Sequence, residues 1–274
     1  MTFNRKVDQD SKMKKIPIIT LTTDFGYRDS YVGSMKGVIL SIHPHVKIVD
    51  LSHEIGPQDI REAAFLLSAA YRFFPPGTIH VVVVDPGVGS QRKILCAKTR
   101  FAYFLAPDNG VLTPVLRKES SFILREVSNP SFFRKEISST FHGRDKFAPS
   151  AAHLSRRNVF NQVGPLVRQF KSIRWPEPKV EKKKISGEIL HVDRFGNLIT
   201  NIDRSHLGHR TPPPKVTVGG IKIPRWARFY AEGKADELIV LMNSTDYLEI
   251  ALPHGSAAHK TGAKIGTPVT LVWP

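Results

Sequence analysis

Apolar and polar positions alternate in blocks that predict strand, helix, strand and helix in turn. Residues 16–21 are a short β-branched apolar run that stops at Thr22-Thr23-Asp24-Phe25-Gly26, the pattern of a buried strand ending in a turn. Residues 31–42 repeat apolar side chains at helical spacing. Residues 46–51 read as a second strand, and residues 57–74 as a second helix with Pro57 near its start and Asp59 and Glu62 toward its positive end. Residues 78–84 are apolar on both faces, as a central parallel strand requires, and break at Asp85-Pro86-Gly87-Val88-Gly89. Further strands are expected at 94–98, 103–106 and 122–127, with a helix after Phe147. This order predicts an α/β domain over residues 15–172 built on a mostly parallel sheet.

The pattern changes at residues 173–184, where two prolines and alternating charges cannot continue a core element and mark a linker. Beyond it, apolar runs at 185–192, 198–202, 215–218, 238–242, 247–252 and 268–272 are separated by glycine, proline and asparagine turns, with no convincing helix. A small all-β domain over 185–274, an antiparallel barrel or sandwich, is expected. Residues 1–14 read as a flexible basic extension.

Composition narrows the class. At roughly 150 residues per domain, 274 residues make about two domains. With 41% apolar and 23% charged residues, neither a disordered chain nor a disulfide scaffold fits. The single cysteine, Cys96, lies in an apolar run and reads as a core residue. The longest charge-free apolar stretch, 63–71, is far short of the roughly 18 residues that cross a bilayer, and no charged-then-apolar leader opens the chain. A soluble, cytoplasmic protein that does not engage a membrane is expected.

The net charge of +16 is unevenly spread. Residues 1–15 carry five basic and two acidic side chains, and residues 171–184 carry six and two, so these segments supply +3 and +4 of it. Such a balance permits binding to nucleic acid, because lysine and arginine neutralise phosphates. No stacking-aromatic motif or zinc-finger spacing accompanies it, and a solvated basic surface explains it as well.

Candidate chemistry gathers where apolar strands end, since ligands of open α/β sheets bind beyond the carboxyl ends of the strands. Asp24, Asp85 and Asp108-Asn109-Gly110 all follow strands, and three on one sheet are harder to dismiss as turn formers than one. Phe141-His142-Gly143-Arg144-Asp145 is a dense polar cluster before a predicted helix, in which Asp145 alone would be a cap and His142 alone a turn residue. Arg92 follows Asp85 across a Gly-Val-Gly turn. Asp193-Arg194-Phe195-Gly196-Asn197 looks like a sharp bend between strands, which explains its glycine but not its flanking polar residues. No phosphate-binding glycine motif occurs, and the eleven histidines show no metal-ligand spacing, so no metal site is assigned.

Taken together, these segments resemble the S-adenosylmethionine hydroxide adenosyltransferases, relatives of fluorinase and chlorinase. The matching stretches are Thr22–Gly26 with Asp29–Gly33, Pro57–Ala64, Val84–Gly89 with Arg92, Ala106–Gly110, Phe141–Asp145 with Phe147-Ala148-Pro149, Asp193–Asn201, and Tyr247–Ala251 with Gly255–Ala258, in order along the chain. The resemblance implies an N-terminal α/β domain, a C-terminal β-barrel, and a homotrimer with active sites between subunits. It implies hydrolysis of S-adenosylmethionine to adenosine and L-methionine, with no cofactor. The catalytic set carried over is Asp85, Arg92 and His142. Halogenating relatives carry a tyrosine at the Asp85 position, and fluorinase has a long loop soon after it. Only thirteen residues separate Arg92 from Ala106 here, so the resemblance points to water as nucleophile.

On that resemblance, displacement at ribose C5′ expels a neutral thioether and needs no general acid. The nucleophile limits the reaction, because water is weak unless deprotonated or polarised. Arg92 would stabilise a developing hydroxide, His142 would accept the proton, and Asp85 would orient Arg92 or the water. Asp24 would take the ribose hydroxyls and Asn197 the adenine edge. Asp193 would bind the methionine ammonium, Phe195 or Tyr230 would stack on the purine, and Glu249 and the Ala257 backbone would line the same pocket. Asp29, Asn109 and Ser244 complete the expected substrate contacts. The competing reading is a basic nucleic-acid-binding protein that retains the adenosine pocket as a relic.

Overall fold

A computed structural model describes residues 16–156 and 159–274; the basic extension expected at 1–14 lies outside the described residues. The chain divides into two units at Ile173 and Arg174.

The first unit follows the predicted alternation. Strands β1 (Ile18–Thr23), β2 (Lys47–Ser52), β3 (Ile79–Val83), β4 (Ile94–Thr99), β5 (Tyr103–Pro107) and β6 (Phe122–Glu126) form one sheet in the order β2-β1-β3-β5-β4-β6. The first four of that order run parallel, while β4 is antiparallel to both β5 and β6. Every residue of β3 is buried, as its two-sided apolar sequence requires. Helices α1 (Tyr31–Ile42), α2 (Ile60–Ala70), α3 (Thr113–Lys118) and α4 (Ala148–Arg156) belong to this unit. Met35 and Ile39 of α1 and Ala148, Ala151 and Ala152 of α4 pack into the core built on β1 and β3.

The second helix is shorter than the 57–74 expected from its apolar spacing. Asp59 accepts a hydrogen bond from the Glu62 backbone N–H at 2.8 Å and so caps α2. Pro57 and Gln58 lie in the preceding turn, where Gln58 has φ of 65°. At the other end, Tyr71–Phe73 tightens into a 3₁₀ turn. Helix α3 is too short to show a helical period, which is why the pattern missed it.

Residues 171–173 strap the ligand end of the sheet. The Lys171 N–H donates to Asp108 Oδ1 at 2.7 Å, and the Ile173 N–H donates to Thr113 Oγ1 at 3.1 Å. Gly110 has φ of 94°, and a Cβ there would lie 2.7 Å from the Ile173 backbone nitrogen. Only glycine admits both that conformation and the approach.

The second unit holds β7 (Lys179–Val180), β8 (Lys184–Val192), β9 (Leu198–Asp203), β10 (Lys215–Val218), β11 (Ile221–Ile223), β12 (Arg225–Trp226), β13 (Ile239–Met242), β14 (Tyr247–Ala251) and β15 (Pro268–Val272). They pair in the order β11-β10-β15-β8-β9-β14-β13-β12, with β7 on β8. All pairs are antiparallel except β12 with β13. One core takes side chains from β11 at one end of this path and from β13 near the other, so the sheet curls around it as a barrel does. Part of the proline-rich 173–184 stretch is thus sheet, not connection alone. The expectation of no helix here is corrected by two short ones. Helix α5 (Arg204–Leu207) is capped by Asp203, and α6 (Ala257–Thr261) by Ser256. Each is too short to produce an amphipathic period.

Candidate active site

In the first unit, a cavity of about 350 Å³ opens at the carboxyl ends of β1 and β3. Asp24, Asp85 and His142 line it, together with Phe25, Tyr31, Gln58 and Phe141. Asp24 leaves the end of β1 in a turn anchored from behind. The Gly26 N–H donates to the His53 carbonyl at 2.8 Å, and Thr23 Oγ1 lies 2.7 Å from His53 Nδ1. The Gln58 N–H donates to Asp24 Oδ2 at 2.8 Å, which fixes the carboxylate with acceptor capacity remaining.

Asp85 and Arg92 are bound to each other at one end of a tight turn. Arg92 Nε donates to both carboxylate oxygens at 2.9 Å, and Nη2 donates to Oδ2. The two side chains are only 5% and 7% exposed. The same Nη2 donates to His142 Nδ1 at 2.9 Å, fifty residues away in sequence. The contact depends on two loops lying against each other. Gly89, with φ of 80°, sits so close to the 138–142 loop that a Cβ would be 2.5 Å from the Ser139 carbonyl oxygen.

The loop that presents His142 is tied to a fully buried carboxylate. Asp145 accepts from Arg144 Nε at 2.7 Å and Nη2 at 3.0 Å, from Arg134 Nη1 at 3.3 Å, and from the Ser138 N–H at 2.8 Å. Burial raises its pKa, but these donors outweigh burial and hold it below the usual carboxylate value. Residues Gly143–Phe147 form a single π-helical turn, a geometry that recurs at functional sites. Asp145 is therefore more than the helix cap that local sequence permits.

These contacts assign the tautomer of His142. A guanidinium only donates, so Nδ1 must carry the lone pair and Nε2 the proton. Burial, then the charges of Lys146 and Arg92, push its pKa below the ordinary histidine value, against smaller opposing effects of Asp85 and Asp145. This direction favours the neutral ring, which offers an N–H through Nε2. The lone-pair nitrogen expected to accept the proton is paired with Arg92 in this arrangement.

In the second unit, a cavity of about 520 Å³ is lined by Asp193, Phe195, Asn197, Tyr230, Pro253 and His254, among others. Asp193 shapes the bend that begins there. Its Oδ1 accepts from the N–H groups of Phe195 and Asn197 at 2.9 and 2.8 Å, and its Oδ2 accepts from Asn197 Nδ2 at 2.9 Å. Asn197 keeps its carbonyl oxygen and one amide hydrogen for a ligand. Gly196 has φ of 82°, and its carbonyl accepts from the Ala258 N–H at 2.9 Å. The Phe195 ring beside it is 76% exposed. Tyr230 donates its hydroxyl to Glu249 Oε1 at 2.8 Å. Burial pushes both pKa values up, helped for Tyr230 by Glu249 and for Glu249 by the charge of Asp193.

Five residues expected to contact substrate line neither cavity, one of them Glu249, which is buried behind Tyr230. Asp29 is exposed ahead of α1 and lines neither cavity. Asn109 donates through Nδ2 to the Val84 carbonyl at 2.8 Å, bracing the end of β5 against the end of β3. Ser244 is exposed in a turn organised by Asn243. Ala257 is fully buried in the core of the second unit. The sequence reading missed Phe25, Tyr31, Gln58, Phe141 and His254 as cavity lining. Phe25, Tyr31, Gln58 and Phe141 all lie within the matching stretches, which was the available signal; His254 lies just before one. Among the described residues, no group of three or more His, Cys, Asp or Glu side chains could hold a metal ion, and no helix is long and apolar enough to cross a membrane.

Comparison with known proteins bears on this geometry. Residues 19–164 match the family model of the SAM hydroxide adenosyltransferase N-terminal domain, and residues 187–270 that of its C-terminal domain. The chain is 36% identical to an (R)-S-adenosyl-L-methionine hydrolase of Thermus thermophilus over 91% of this chain and 97% of that protein. It is 37% identical to the protein of the same name from Methanocaldococcus jannaschii, over 86% and 88%. A fluorinase of Actinoplanes sp. is 30% identical over 93% and 97%. Among solved structures, an uncharacterized conserved protein from Thermotoga maritima superposes with a TM-score of 0.87 at 37% identity, covering 93% of this chain and 100% of that one.

Proposed function

The chain belongs to the SAM hydroxide adenosyltransferase family, and from that premise we propose that it hydrolyses (R)-S-adenosyl-L-methionine to adenosine and L-methionine. The observation that carries the reading is the closed Asp85–Arg92–His142 network facing the same cavity as Asp24. The (R) configuration at sulfur is taken from the names of the hydrolase relatives. No support remains for the nucleic-acid alternative.

The chemistry follows from the donors and acceptors available. A water between His142 and Asp85 accepts from His142 Nε2–H and donates to a remaining Asp85 lone pair. The Arg92 charge stabilises hydroxide character on the attacking oxygen. As the oxygen bonds to C5′, the C5′–S bond breaks and its electron pair returns to sulfur, giving neutral methionine thioether. The proton lost from water passes to Asp85 and then to solvent. The leaving group needs no acid and the nucleophile no metal, so the reading requires no cofactor. Asp24 would hold the ribose hydroxyls.

Two features favour water over halide. Asp85 stands where halogenating relatives are expected to carry tyrosine, and β4 begins at Ile94, two residues after Arg92, without an inserted loop. We further propose a homotrimer in which Asp193, Phe195, Asn197 and Tyr230 of one subunit complete the site of another, binding adenine and the methionine ammonium. A cytoplasmic location goes with an intracellular substrate. The test is turnover in water enriched in oxygen-18: label in the adenosine 5′-hydroxyl is expected. Unlabelled adenosine, or a product that requires added chloride or fluoride, refutes hydrolysis.

A further inference from the structure

We propose that Phe25, Tyr31 and Phe141 form an aromatic seat for the sulfonium cation and select charged substrate over its neutral thioether relatives. The inference rests on the hydrolase reading and deepens it. All three rings line the cavity that holds Asp24, Asp85 and His142. Their centroids lie 5.6 Å apart for Phe25 and Tyr31, 5.9 Å for Phe25 and Phe141, and 5.1 Å for Tyr31 and Phe141. The planes are inclined by 54°, 77° and 85° in the same order, so no two of them stack. Such mutually inclined rings are how proteins surround cations that carry no hydrogen-bond donors, by turning several negative ring faces toward one point.

Packing alone does not account for the cluster. Phe25 and Phe141 rest partly on the core, but Tyr31, the first residue of α1, is 46% exposed. Phe141 is also held by the Arg144 guanidinium, 5.2 Å from its ring centre, so the wall is fixed by the same arginine that grips Asp145.

The alternatives within the cavity are few. A sulfonium offers no N–H or O–H and must be recognised by charge alone. The acidic lining residues are Asp24 and Asp85, and Asp85 is neutralised by Arg92. Asp24 is committed to the ribose hydroxyls in the proposed mechanism. In-line attack places sulfur on the side of C5′ away from the water, and the aromatic trio, in the same lining as Asp24, offers ring faces to it there.

The arrangement also carries a kinetic consequence. The positive charge disappears as the thioether leaves, so the seat attracts the substrate and not the product. It acts on ground-state binding, and its loss raises KM without lowering kcat.

The test compares two stable ligands by calorimetry on the full-length protein. Sinefungin carries an ammonium group in place of the sulfonium, and S-adenosylhomocysteine has a neutral thioether there. Wild-type protein should prefer sinefungin. Tyr31→Leu should reduce that preference roughly five- to thirtyfold, the range of one cation–π contact between exposed and desolvated settings, while Tyr31→Phe retains it. Phe25→Leu serves as the second variant and should act in the same direction. An equal loss for both ligands would make the rings a packing wall and overturn the proposal, as would an unchanged preference or a wild-type protein that does not discriminate. Neither readout needs turnover, so failure of the hydrolase reading is recognised separately, by the absence of adenosine from S-adenosylmethionine.

Discussion

Arg92→Ala tests the central network most directly, because it removes one half of a closed ion pair and leaves the other in place. Asp85, only 5% exposed, would lose three donated hydrogen bonds and the guanidinium beside it, and His142 Nδ1 would lose its donor. The guanidinium contact with the Phe147 ring, at 5.8 Å, goes as well. Removing one member of a buried pair costs about 3–5 kcal/mol, since the remaining charge has neither water nor partner. For a unit of this size, each kcal/mol shifts Tm by about 2–4 °C, so a fall of about 6–20 °C is expected. Asp85→Ala should destabilise for the mirror-image reason. The double variant removes both charges and should be less damaged than the sum, with a coupling of about 2–3 kcal/mol. Thermal melts of the four proteins measure the cycle, with turnover followed in parallel; adenosine affinity should persist where turnover is lost. A single variant within about 2 °C of wild type, or an additive cycle, would mean that the pair is open to water and would refute the electrostatic reasoning.

Three further outcomes follow from the same geometry. Asp24→Ala deletes the acceptor proposed for the ribose and should weaken adenosine binding at least about tenfold in calorimetry, at about 1.5–3 kcal/mol for each hydrogen bond to a charged group; an unchanged affinity would reduce Asp24 to a turn residue. Because the folded-state pKa of His142 is lowered, the unfolded chain binds more protons in acid; turnover and the stability owed to neutral His142 should hold through pH 6.5 and fall only below it. A pH–rate profile that declines with a midpoint above 6.5 contradicts the lowered pKa of His142. If sites are completed between subunits, specific activity should disappear on dilution to monomer, and light scattering showing a fully active monomer ends that proposal.

Much of the architecture was visible in the residue pattern because burial imposes it locally. The two-sided apolar run of β3 and the polar stop at Asp85 needed no knowledge of the rest of the chain. What escaped depended on distance or on short length. The direction of β4 cannot be read from its own six residues, since antiparallel and parallel buried strands share a composition. The Arg92–His142 bond joins residues fifty apart, and the tautomer of His142 follows from that bond alone. Asn109 illustrates the opposite case. Its place in a recognised motif marked it for substrate contact, and its amide donates to the Val84 carbonyl, a bracing role that the motif alone did not reveal. Ser244, expected to touch substrate, is exposed in a turn that Asn243 organises, a placement its own sequence neighbours do not reveal.

The strap at residues 171–173 sets an order on the birth of the protein. A chain emerges from the ribosome from its N-terminus, so all six strands of the first sheet are available before the strap exists. Asp108 and Thr113 nevertheless wait for the backbone N–H groups of Lys171 and Ile173, and Asn109 between them braces the strand end from which Asp85 hangs. The cavity-bearing end of the first unit therefore reaches its final form only as synthesis passes into the second. The family's N-terminal domain, counted to residue 164, stops short of its own last fastening.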